Sequence, residues 1–208
     1  MEKKFKLTDN YVLNEYGVKL YQIKCTNTFE YAKEGELGGY IEREVNLSQE
    51  GNAWVADTAQ VYGTAWVSGD AQVYGNARVY GTAWVSGDAQ VYGNARVSGT
   101  AWVSGTAWVY GNAQVYGNAR VYGNACLKSD ADHCGFDCFG SSNRHTHAYL
   151  TSDNTVEITC GCFRGSIEEF EKKVKNTHAG TVYENQYNAI INVIKIKFGS
   201  AQRQNRQV

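Results

Sequence analysis

From Gly51 to Lys128 the chain is one uninterrupted run of six-residue units, GNAWVA, DTAQVY, GTAWVS, GDAQVY, GNARVY and onward to GNACLK, thirteen hexads without insertion or deletion. No other feature restricts the fold as strongly. Each unit opens with a turn-like pair, Gly or Asp followed by Asn, Thr or Asp, and continues with Ala, a variable residue, Val (Leu in the last unit) and a second variable residue. Ala and Val stand two apart, so on a strand they face one way and the variable residues face the other. The Gly-Asn and Gly-Thr pairs give the backbone the freedom a corner requires. Six residues therefore make one short strand and one bend, and three bends close a triangle of eighteen residues. Eighteen is also the length of a near-verbatim duplication. GTAWVSGDAQVYGNARVY at Gly63–Tyr80 recurs at Gly81–Ser98 with one change, Tyr80 becoming Ser98. The sequence predicts a mainly β chain built on a solenoid of about four coils.

The run V-x-G-[NTD]-A-x, as in VYGNAR and VSGDAQ, resembles the hexapeptide repeat of left-handed parallel β-helix proteins, and the resemblance covers 51–128 without a break. It implies a left-handed parallel β-helix and, as is common in that family, a homotrimer. It implies no activity, because the fold carries acyltransferases, γ-class carbonic anhydrases and non-catalytic chains alike. The flanks LGGYIEREVNLSQEGNAWV (37–55) and CGCFRGSIEEFEKKVKNTH (160–178) are similar to flanking segments of hexapeptide-repeat proteins of phages and prophages. That resemblance implies a phage or prophage protein acting in the host cytoplasm.

Three parts follow from the pattern. Residues 1–50 form an N-terminal β-hairpin and cap, with the hairpin over 3–25 turning at Asn14 to Gly17 and 26–50 leading into the first coil. Residues 51–128 are the hexads. Residues 129–208 form a small ββαα module with a polar tail. In that module strands are expected near 145–152 and 155–162. Ser166 with Glu169 makes a capping box for a helix near 167–177, and Tyr183, Tyr187, Ile190, Ile191, Ile194 and Phe198 mark one face of a second helix. The last residues, SAQRQNRQV, are expected to fray.

Twenty basic residues against twenty-one acidic ones leave no charge excess to announce a nucleic-acid polymer or a membrane surface. No apolar stretch has the length of a signal peptide or membrane span, so a cytoplasmic location is expected and the six cysteines are read as reduced thiols.

Stacked coils turn the repeat into columns, since residues eighteen apart lie about 4.8 Å above one another. One face carries Trp66, Trp84, Trp102 and Arg120, and three stacked indoles in water form an apolar patch that marks an interface. A second carries Gln60, Arg78, Arg96 and Gln114, flanked by Tyr62, Tyr80, Ser98 and Tyr116. A third carries Trp54, Gln72, Gln90 and Trp108, flanked by Tyr74, Tyr92 and Tyr110. Like side chains stacked on like also stabilise a solenoid by laddering, and for Gln and Tyr this is the plainer explanation. On the second face, however, no variable position is acidic, so Arg78 and Arg96 are candidates to hold phosphate, with Tyr62 and Tyr80 as stacking surfaces and Arg120 approaching from a neighbouring subunit.

All four histidines, His133, His145, His147 and His178, lie outside the hexads. A hexapeptide acyltransferase places a histidine base at the β-helix surface, and a γ-carbonic anhydrase needs three metal-binding histidines there. The expectation is a non-catalytic binding scaffold without a cofactor, which sequesters a small phosphate-bearing, nucleotide-like ligand or blocks a host protein. The alternatives are a purely structural assembly solenoid and an acyltransferase-like enzyme. A zinc reading rests on the C-terminal hairpin: if Asp153 and Asn154 make a two-residue turn, His145, His147, Cys160 and Cys162 share one face. A slip of one residue removes it.

Overall fold

The computed structural model describes residues 3–199, so the polar tail at 200–208 lies outside the described residues. The chain divides into two compact units, Met1–Asn124 with Lys128–Asp130, and Ala125–Leu127 with Ala131–Val208.

The larger unit is a parallel β-solenoid of about five turns. The fourth and fifth residues of each hexad form a two-residue strand, for example Trp66–Val67, Gln72–Val73 and Arg78–Val79. Strands eighteen residues apart pair in parallel and in register, Gln60 beside Arg78, Arg78 beside Arg96 and Arg96 beside Gln114. The three columns read from the sequence are thus the three faces. Inside, the Ala and Val of every hexad are buried. These small and β-branched side chains fill the narrow interior, and each coil then hydrogen-bonds to the next through its backbone, as in Arg78 N to Ala95 O at 3.0 Å and Tyr80 N to Val97 O at 2.9 Å. Outside, like groups ladder at the corners. Asn76 Nδ2 donates to Asn94 Oδ1 at 3.2 Å and Asn94 Nδ2 to Asn112 Oδ1 at 3.2 Å.

The solenoid begins before the hexads. Strand β1 (Phe5–Leu13) and strand β2 (Lys19–Cys25) form the expected antiparallel hairpin, and β2 pairs with β3 (Leu37–Ile41). Strand β3 then runs parallel to Gln60–Val61, with Tyr40 beside Gln60 and Ile41 beside Val61. Leu47 bridges Val67 on another face, and the buried Asn46 donates to the carbonyl oxygens of Ala65 at 2.9 Å and Gly63 at 3.1 Å. Segment 37–48 therefore supplies rungs without the hexad pattern, which is why about five turns exist where the hexads alone account for about four.

In the smaller unit, strands β4 (His133–Phe139), β5 (Arg144–Leu150), β6 (Val156–Cys160) and β7 (Phe163–Gly165) form an antiparallel sheet in chain order. Helices α1 (Ile167–His178) and α2 (Val182–Gly199) follow. The capping box forms as expected: Ser166 Oγ accepts from Glu169 N at 3.2 Å and Glu169 Oε2 accepts from Ser166 N at 2.8 Å. The predicted face of α2 is the packed one, with Tyr187, Ile190, Ile191, Ile194 and Phe198 buried against Phe170, Val174 and Ile158.

Candidate functional site

The arginine face is assembled by register alone, since parallel in-register pairing places Arg78 and Arg96 on neighbouring rungs. Their surroundings differ. Glu15, from the turn between β1 and β2, sets its Oε2 3.2 Å from Arg78 Nη1. The expectation that no carboxylate neutralises this face is therefore corrected at Arg78, because an acid sixty-three positions earlier in the chain reaches it. No carboxylate pairs with the exposed Arg96 among the described residues. One rung further on, Asp130 accepts from the backbone N of Gln114 at 2.7 Å.

The tyrosines divide in the same way. Tyr62 is buried and lies flat on Tyr80, with ring centroids 5.1 Å apart and planes 4° from parallel. Burial first, and then the neighbouring Tyr80, push the Tyr62 phenol up to about 12. One face of Tyr62 is thus occupied by Tyr80 and its hydroxyl is enclosed without a hydrogen-bond partner. It offers no stacking surface, which corrects its assignment as a ligand-binding residue. Tyr80 is half-buried, the next place in its column is held by Ser98, and Tyr116 beyond it is 65% exposed. The neighbouring column shows what an unbroken ladder looks like: Tyr74 on Tyr92 at 4.8 Å and Tyr92 on Tyr110 at 5.0 Å. With rungs about 4.8 Å apart, Tyr80 and Tyr116 flank a gap of two rungs in which a ring is missing, and Arg96 is the variable residue on that same rung. The sequence carried a signal for this position, the single departure from the verbatim duplication.

On the tryptophan face Trp66, Trp84 and Trp102 are 37%, 40% and 39% exposed. Trp84 and Trp102 stack at 5.0 Å, Trp66 meets Trp84 edge-on at 5.2 Å, and the Arg120 guanidinium lies 5.5 Å from the Trp102 ring centre. Arg120 is thus placed on its own aromatic column. Trp54, on the third face, is buried against Phe29, while Trp108, three rungs further along that column, is exposed.

The zinc reading of the hairpin is overturned by its register. Thr146 pairs with Cys160 and His147 with Thr159, so His145 and His147 point away from Cys160. The slip arises because the turn takes five residues, Leu150 pairing with Val156, and Thr151 closes it by accepting and donating to Thr155. The histidines instead meet partners from β4 that the sequence did not suggest. His133 Nδ1 is 3.0 Å from His147 Nε2, and His145 Nδ1 is 2.7 Å from Asp137 Oδ1. Among the described residues no group of three or more His, Cys, Asp or Glu is arranged to hold a metal ion.

Comparison with known proteins agrees with this architecture. The family model described as the YdcK β-solenoid repeat matches residues 71–87, 89–105 and 113–127. The chain is a β-solenoid repeat protein. The matched segments contain Arg78, Tyr80, Arg96, Ser98 and Arg120. No curated protein matches the chain. No helix among the described residues is long and apolar enough to cross a membrane.

Proposed function

We propose that this chain is a non-catalytic binding scaffold that sequesters a small anionic, nucleotide-like ligand. On this reading the solenoid winds left-handed, as in the hexapeptide-repeat proteins that it resembles, and the protein acts in the cytoplasm of a phage-infected or prophage-bearing host. One observation carries the proposal: the missing ring at Ser98 lies between Tyr80 and Tyr116, on the rung of Arg96, with which no carboxylate pairs among the described residues. A planar base inserted there would stand about 5 Å from each tyrosine, within the range of stacked aromatic pairs. The Arg96 guanidinium then supplies a planar fork of donors for phosphate. Near-verbatim duplication extends a surface far more readily than it builds a reaction centre, and all four histidines lie outside the hexads. Both features favour binding over turnover.

Calorimetry of the whole chain against mono-, di- and cyclic nucleotides tests the proposal. The expected result is binding that weakens as salt rises and is lost in Arg96→Ala. Absence of binding to every member of the panel overturns it, as does affinity unchanged in Arg96→Ala.

A second reading, a self-assembling solenoid, is favoured by the exposed Trp66, Trp84 and Trp102 column. The two readings are compatible, since the columns lie on different faces.

A further inference from the structure

The smaller unit contains a cavity of about 170 Å³ that the reading of the solenoid does not use. Its lining combines the exposed Arg144 and Lys173 and the half-buried His178 with the apolar Phe163, Phe170 and Val174. No carboxylate lines it. Among the described residues neither Arg144 nor Lys173 is in an ion pair. Two cationic groups, Arg144 and Lys173, thus line an aromatic hollow that has no carboxylate among its lining residues.

The fold holds this arrangement by specific means. Gly161, in the turn between β6 and β7, has φ +61, and a Cβ there would stand 2.3 Å from Arg144 Nη1. The absence of a side chain at 161 lets the guanidinium lie across that turn. Phe163 and Phe170 meet at 5.0 Å, and Phe170 meets Tyr187 edge-on at 5.7 Å, which fixes the wall. The Tyr187 hydroxyl lies 3.8 Å from Cys160 Sγ, and Thr146 Oγ1 donates to the same sulfur at 3.3 Å. Burial first, and then Cys160, push the Tyr187 phenol up to about 12, so it stays a neutral donor at physiological pH. Its ring stacks on His178 at 5.5 Å, which steadies that imidazole at the edge of the hollow.

We propose that this cavity is a binding site for a small organic anion of one-ring size, its carboxylate or phosphate held by Arg144 and Lys173 and its apolar body set against Phe163 and Phe170. The volume accommodates such a guest, since a cavity of about 150 Å³ accepts a benzene-sized molecule. The lining sets its charge, because Arg144 forms paired hydrogen bonds to a carboxylate or phosphate and Lys173 adds a second positive charge. The site is independent of the solenoid's Ser98 gap, since every lining residue belongs to the smaller unit.

The test uses the full-length protein and four probes: benzoate, phenyl phosphate, the neutral benzamide, and inorganic phosphate, each titrated by calorimetry and followed by chemical-shift changes at the lining residues. Benzoate or phenyl phosphate is expected to bind at roughly 1 mM or tighter, and benzamide and inorganic phosphate at least about tenfold more weakly. Which anion binds better distinguishes a carboxylate from a phosphate guest. Arg144→Gln and Lys173→Gln, both at exposed positions, are each expected to weaken the anion by about tenfold with an unchanged melting temperature. Ser98→Tyr is expected to leave it unaltered. No shift at the lining residues with either aromatic anion overturns the proposal. So does inorganic phosphate binding as tightly as phenyl phosphate together with no preference for benzoate over benzamide, or affinity that survives in the Arg144→Gln, Lys173→Gln double variant.

Discussion

Tyr80 lies flat against Tyr62, with ring centroids 5.1 Å apart and planes 4° from parallel, and on its other side the column continues with Ser98. Replacing Ser98 by Tyr restores the residue found at the matching place one repeat earlier. The added ring is expected to stack between Tyr80 and Tyr116 and to stabilise the solenoid by about 0.5–1.5 kcal/mol. It is also expected to abolish nucleotide binding. Thermal melting and calorimetry on the one variant check both. A destabilised Ser98→Tyr protein would mean that the gap is not ring-shaped.

The corners of the solenoid make a contrast of the same kind. Gly87 has φ +66, and a Cβ there would meet Gly105 N at 3.0 Å and Gly105 O at 3.1 Å, backbone atoms held by the next coil. Gly117 has φ +63 but nothing within 4 Å of its Cβ position. Gly117→Ala should therefore cost only the left-handed backbone strain, about 1 kcal/mol, whereas Gly87→Ala should cost about 1–2 kcal/mol more. Paired urea denaturation curves measure the difference, and equal losses would contradict the close approach of the coils.

These examples show where the sequence was informative. The hexad period places Tyr62, Tyr80, Ser98 and Tyr116 in one column because parallel rungs repeat every eighteen residues without insertion. Contacts outside the period left no such trace. Glu15 reaches Arg78 across sixty-three positions through the fold of a hairpin, and segment 37–48 forms rungs from residues such as Tyr40, Ile41 and Leu47 that follow no hexad. The His145 and His147 face depended on a one-residue shift of strand register, to which side-chain composition is indifferent.

Lys4 ties β1 to the start of the hexads. Its Nζ donates to Ala53 O at 2.8 Å and Gly51 O at 3.1 Å, and burial pushes its pKa from 10.5 down to about 8. Below pH 8 the amine is charged whether the chain is folded or unfolded, and the penalty is constant. Between pH 8 and 10.5 the unfolded chain binds the proton and the folded one does not, so stability rises with pH. A gain of about 1–3 kcal/mol is expected across that window, and it should vanish in Lys4→Met. Denaturation curves taken at successive pH values, wild type against variant, report the slope. A fall in stability assigned to Lys4 would reverse the sign argued here.

In the smaller unit, helix α1 starts on the reciprocal bonds between Ser166 and Glu169. Ser166→Ala removes one acceptor and should cost about 1 kcal/mol. Hydrogen exchange locates the loss: the first-turn amides of α1 should exchange faster in the variant, while those of the solenoid rungs stay protected. Uniform acceleration across both units would indicate that the cap does more than begin a helix.

The tryptophan column bears on assembly. Trp66, Trp84 and Trp102 leave indole surface in water on three consecutive rungs, each 37–40% exposed. At roughly 25 cal/mol per Å² of apolar surface removed, covering them contributes several kcal/mol per face. A closed ring lets every subunit cover its neighbour's column with a different surface of its own, and three copies match the three-sided coil. The expected species is a homotrimer, three times the chain mass of 23.1 kDa, at micromolar concentration. Light scattering measures the mass directly. Trp84→Glu, which places a charge in the middle of the column, should shift the population to monomer without unfolding the rungs, because position 84 points outward while Val85 fills the core. A wild-type protein that is monomeric at micromolar concentration would leave the column as an intramolecular ladder and remove the argument for assembly.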